Sequence, residues 1–230
     1  MSEDNIFIHA DRSLMAIYND VSREFQTLST QLGFDELNVM GVRRSVFEMY
    51  KRMDANIRRQ YMTIARKAYR DALLSAMLVV PTPVTVEDDF DYHNFVVSML
   101  RAYDPLSDFV YTHEWLRKRD RLFESIVATQ RGNQEMRKNL KRGMDVLANQ
   151  IRQYADNITV GARLKAFKDA GVKYVRWVAE MDDRTCKTCW DNDGKVYRLD
   201  EAINLIPKHW RCRCIWMPST KEEYLAQRAA

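Results

Sequence analysis

Glycine and proline are scarce, at 7 and 5 in 230 residues, while 30% of the chain is charged. Few sites for tight turns combined with many solvated faces disfavour a many-stranded sandwich and favour helices. Long apolar runs are also missing. The longest, Ala72 to Val80, is interrupted by Ser75 and stopped by Pro81, well short of the roughly 20 residues of a membrane span. The Met-Ser-Glu-Asp start carries no cationic flank leading into an apolar core, so no secretory signal is expected. A formal charge of +4 and a pI near 8.8 lack the cation excess of a dedicated nucleic-acid binder. Cysteine is absent before position 186. Together these features predict a soluble, mainly α-helical protein made in a reducing cytoplasm.

What is present follows a helical period. Leu14, Ile17, Val21, Phe25, Leu28 and Leu32 recur at steps of three and four, which places them on one helix stripe, with Gly33 positioned to end it. A second stripe, Val46, Tyr50, Met53, Ile57, Tyr61, Ile64 and Ala68, predicts a long amphipathic helix reaching about Val80. The proline-bearing acidic stretch 81–91 breaks the pattern. Helical spacing resumes over His93–Tyr103 and from Asp108 to Gln130, and a break is expected near Gly132. Met136, Leu140, Leu147, Ile151 and Tyr154 mark a further helix flanked by Arg137, Lys138, Lys141, Arg142 and Arg152. A short separate helix is read from Gly161 to Ala170. The basic faces read as solvated surface or as contact with DNA phosphates or an acidic partner. After Gly171 the Val-, Tyr- and Trp-rich run to Val178 suits a strand. Asp193-Gly194 has the chemistry of a hairpin turn, and Cys212 to Met217 can supply a last strand. The expected architecture is an elongated helical region over 1–156 with a break near 81–91. A small α+β zinc-binding module with a few short strands follows at 157–218, then a tail at 219–230.

All 4 cysteines, Cys186, Cys189, Cys212 and Cys214, fall in that module beside His209, in the pattern C-x2-C, nineteen residues, H-x2-C-x-C. Zinc takes four tetrahedral thiolate or imidazole ligands, and a two-residue gap lets one turn present both sulfurs. Five donors thus compete for four places. Cys186, Cys189 and Cys212 are the primary ligands, and Cys214 and His209 share the fourth position, with His209 otherwise able to hydrogen-bond a thiolate from outside the ligand set. Paired disulfides are the alternative use, which a reducing compartment opposes. Free thiols in an apolar core are opposed by the interspersed Lys187, Arg211 and Arg213. A segment of this size has little core of its own, so a metal staple is expected.

These residues also carry a resemblance. Gly171-Val-Lys-Tyr-Val-Arg-Trp, Asp182-Asp-Arg-Thr-Cys-Lys-Thr-Cys, Asp193-Gly-Lys-Val-Tyr and His209-Trp-Arg-Cys-Arg-Cys closely resemble the phage Mu F-like minor head proteins over about residues 160–218. The resemblance implies a structural minor capsid protein acting in head morphogenesis, resident in the virion after assembly in the bacterial host cytoplasm, and not an enzyme. Its implied partners are portal protein and major capsid or scaffold proteins. Non-specific DNA contact and a homo-oligomer stay open, and no membrane is involved. Two departures stand out: Trp210 replaces the Pro that usually follows the motif His, and the Arg-Thr-Glu signature of the preceding helix is absent near Tyr154-Ala-Asp-Asn.

Enzymatic patterns fit less well. His113-Glu114 has Arg117 where a zinc protease needs its second His. No His-x-Glu accompanies Cys186 as a zinc deaminase requires, and Cys189-Trp-Asp-Asn-Asp-Gly starts with Cys where a calcium loop needs Asp. The alternative from another class is a nucleic-acid-binding zinc module or treble-clef-like nuclease. It would use Lys187, Lys195, Arg211 and Arg213 on phosphate and Trp190, Trp210 and Trp216 on bases.

Overall fold

The stripes read from the sequence bury themselves in helices. The computed structural model describes residues 4–32, 38–80, 90–103, 113–129, 133–209 and 211–229. Five long or medium helices come first: α1 (Asp4–Gln31), α2 (Val39–Ala76), α3 (Tyr92–Tyr103), α4 (His113–Ala128) and α5 (Asn133–Asp169). The strands and short helices follow as β1 (Tyr174–Val178), α6 (Lys187–Asn192), β2 (Val196–Arg198), α7 (Leu199–Ala202), β3 (Ile215–Ser219) and α8 (Lys221–Ala229). The expected terminators Gly33 and Gly132, most of the acidic connector, the Asp104-Pro105 break and Trp210 lie outside the described residues.

Two units are defined by their internal packing: residues 1–61 with 97–152, and residues 62–96 with 153–230. In the first, all six predicted α1 stripe positions from Leu14 to Leu32 are buried, as are Val46, Tyr50, Met53 and Ile57 of α2. Polar ties reinforce the packing. Arg52 of α2 donates to Glu24 of α1 at 2.8 Å, the Tyr61 hydroxyl donates to the Ile151 carbonyl of α5, and Asn139 of α5 donates to Thr129 beyond α4 at 2.7 Å. Gly143 of α5 permits a close approach, since a Cβ there would lie 2.9 Å from Leu122 Cδ1.

In the second unit the core gathers alanines from α2 and α5 (Ala68, Ala72, Ala76, Ala162, Ala166) with Phe167, Val175, Trp177 and Trp216. The sheet has the order β2-β1-β3, antiparallel throughout, with Trp177 opposite Trp216 and Arg176 opposite Val196. Because Trp177 exchanges backbone bonds with Gly194 and Lys195 on the β2 side, the Trp216 carbonyl points outward from the sheet. Arg163 of α5, fully buried, donates Nε to that carbonyl at 2.9 Å and Nη2 to Met217 Sδ at 3.1 Å. Burial pulls its pKa down to about 10. At the other edge the Gln227 side chain of α8 accepts from the Val196 N–H at 2.6 Å and donates to its carbonyl at 3.1 Å. The segment expected as a tail therefore includes a helix bonded to β2.

Three sequence expectations need correction. The helix read as ending near Tyr154 and restarting at Gly161 is one unbroken α5, because Ala155, Ile158, Val160, Ala162 and Ala166 continue the buried face through Gly161. The expected boundary at 156 falls inside it, near the change of unit between Arg152 and Gln153. Asp193-Gly194 does not join two adjacent strands: it closes α6, with Asp193 as C-cap and Gly194 at φ 77°. Finally, Cys212 to Cys214 precede β3 rather than forming part of it. Gly171 closes α5 at φ 78°, with open space where a Cβ would stand. Gly171→Ala should therefore cost about 1–2 kcal/mol, purely conformational, measurable as a lowered urea midpoint with unchanged slope.

Candidate metal centre

The first cysteine pair owes its placement to a helix start. Cys186 is the N-cap of α6, and its Sγ accepts the Cys189 N–H at 3.4 Å. A C-x2-C spacing is also the spacing between an N-cap and the third helical residue, so the hydrogen bond that starts the helix also turns both sulfurs to one side. The turn before it is built by Asp182, whose Oδ1 accepts the Arg184 N–H at 2.9 Å, and by the Thr185 hydroxyl, which accepts the Asp182 N–H at 2.9 Å.

The second group comes from an irregular segment ahead of β3. Arg211 adopts a positive φ of 62°, its N–H donates to Gln153 Oε1 of α5 at 3.0 Å, and the Cys212 N–H donates to the His209 carbonyl. Cys212 and Cys214, two residues apart, face the same side, as residues i and i+2 do in extended chain. His209 Nε2 lies 3.1 Å from Cys186 Sγ and 3.2 Å from Cys189 Sγ, and Cys189 Sγ lies 3.8 Å from Cys212 Sγ. The donors form two overlapping groups, Cys186–Cys189–His209 and Cys189–Cys212–Cys214, each within 4.8 Å, with Cys189 common to both. All five sequence-predicted residues are thus brought together, and each group could hold a metal ion. All four cysteines are free thiols.

Electrostatics divide the thiols. The Cys189 N–H holds Cys186 below its ordinary range, and hydrogen bonds from Cys214 hold Cys212 down. Burial pushes Cys189 up, and Cys214 is pushed up first by its bond to Cys212 and then by burial. A metal entering such a set displaces the thiol protons.

Residues proposed for phosphate and base contact are placed differently from one another. Trp216 is wholly buried in the core, and Arg213 is bound by Glu180 and Asp182. Lys187 pairs with Asp191, whereas Trp190 is 58% exposed. Sequence reasoning missed Glu180 and Asp182 as partners of Arg213. Their acidic character beside the first cysteine pair was the available signal.

Residues 119–217 match the family model described as Phage Mu protein F like protein. This stretch of the chain is similar to that family. The Mu F-like segment begins upstream of the resemblance read near residue 160 and takes in most of α4 and all of α5. It ends inside β3, so that α8 lies beyond it. No curated protein and no solved structure matches the chain. No helix among the described residues is long and apolar enough to cross a membrane.

Proposed function

We propose that this protein is a structural, non-enzymatic component of a tailed-bacteriophage head that acts in head morphogenesis, with a C-terminal segment folded around zinc. The match of residues 119–217 to the phage Mu protein F-like family carries this reading. Within it, the protein accompanies the portal during procapsid assembly, meets major capsid or scaffold proteins and remains in the virion. Copurification with portal-bearing procapsids is the expected result, and a chain that never sediments with them would defeat it.

The donor chemistry fits zinc. Thiolates with one imidazole are its preferred set, and the edge of a zinc–sulfur tetrahedron with 2.3 Å bonds is roughly 3.8 Å, which is the Cys189–Cys212 separation. Cys186, Cys189 and Cys212 are the proposed ligands, with His209 or Cys214 completing four. Bound zinc supplies structural cross-linking there, not a reaction. Protein purified under reducing conditions should contain one zinc. Of His209→Ala and Cys214→Ser, the variant that loses it names the fourth ligand, and metal-free wild-type protein would end the zinc reading.

Exposed Arg121, Arg137, Lys138, Lys141 and Arg142 on α4 and α5 support an accompanying contact with packaged DNA. Such binding should weaken steeply with salt.

A further inference from the structure

Arg213 stands between two donor cysteines, yet its guanidinium turns to acids on the other donor-bearing segment. Nη1 donates to Asp182 Oδ2 at 2.8 Å and Nη2 to Asp182 Oδ1 at 2.5 Å, and Glu180 also accepts from Nη1. The side chains are only 15% and 28% exposed for Arg213 and Asp182. Asp182 is also the residue that organises the turn leading to Cys186, accepting from the Arg184 backbone and side chain. One carboxylate therefore connects the approach to the first cysteine pair with the centre of the second.

We propose that the Asp182–Arg213 pair is a positioning clamp that aligns the two halves of the metal centre before metal arrives. This rests on the zinc reading above. The two donor segments both leave the β1–β3 ladder at the Val178–Ile215 pair, and beyond that pair the clamp adds a side-chain tie directly between them. A two-pronged guanidinium–carboxylate contact fixes both distance and orientation, which a lysine ammonium does not. Outer contacts of this kind typically change metal affinity by about 10- to 100-fold.

The test uses the full chain, with zinc competition against a chromophoric chelator and the thiolate-to-cobalt absorption of the cobalt-substituted protein. Asp182→Asn and Arg213→Gln should each retain one metal with the thiolate band but bind on the order of 10- to 100-fold more weakly. Arg213→Lys should fall between them and wild type, and the double variant should be no weaker than the worse single one. Glu223→Gln, which breaks the Arg176–Glu223 contact of α8 in the same unit, should leave affinity unchanged. If Arg213→Gln fails to fold, Arg213→Lys carries the comparison. Wild-type affinity in the clamp variants, additive losses in the double variant, or an equal loss in Glu223→Gln would each overturn the clamp. A wild-type chain that binds no metal would overturn the zinc reading and the clamp together.

Discussion

Cys189→Ser should abolish stoichiometric metal binding and disorder the two donor segments, 180–192 and 203–214, while leaving the long helices and the β1–β3 pairing in place. Cys189 is the one donor in both groups and is 4% exposed, so no neighbouring thiol can substitute without moving backbone. Structural zinc contributes on the order of 10–16 kcal/mol of apparent free energy in finger peptides. Among their described residues, the donor segments bury only the apolar side chains of Cys189, Ile206, Cys212 and Cys214, each worth about 1.5–3 kcal/mol at most before chain entropy is counted. The sheet is placed differently, because Trp177 and Trp216 share a core with α2 and α5. Tryptic cleavage should rise at Arg184, Lys187 and Arg211 with little change in far-ultraviolet circular dichroism. Retained zinc with an unchanged digest would refute the assignment. Cys186→Ser, at a partly exposed site in one group only, should have a smaller effect.

Trp216→Ala should cost about 3–5 kcal/mol. Its ring is fully buried and meets Trp177 and Tyr197 edge-on, each at 5.6 Å between centroids, so truncation leaves a cavity between sheet and helices. Trp216→Phe should be much milder, because the indole Nε1 has no hydrogen-bond partner among the described residues and losing an unsatisfied donor offsets part of the lost packing. Urea denaturation of the pair separates the two effects. Equal losses would mean that the N–H has a partner after all.

The helices were legible because apolar side chains recur at steps of three and four, from Leu14 to Leu32 and from Val46 to Ala68, and burial follows that period. Continuity of α5 was not legible, since Gly161 and the polar Asp156-Asn157 pair resemble a break until Asn157 and Arg163 are seen to be buried. The five donors could be named from spacing. Their geometry could not, because it depends on Cys186 capping a helix and on the turn at Arg211, of positive φ, that carries the chain from His209 into Cys212. Arg213 looked like a free cation for phosphate, as its acids lie some thirty residues away in sequence and only the fold brings them together.

The side chains of Arg163 and Gln227 occupy outward-facing backbone groups of β3 and β2. A neighbouring polypeptide seeking to extend the sheet would meet a guanidinium at Trp216 and a carboxamide at Val196 where it needs vacant main-chain partners. Copies of this chain brought close together are thereby kept from zipping into fibrils through this element, and any recognition by other proteins falls to helix faces and loop side chains.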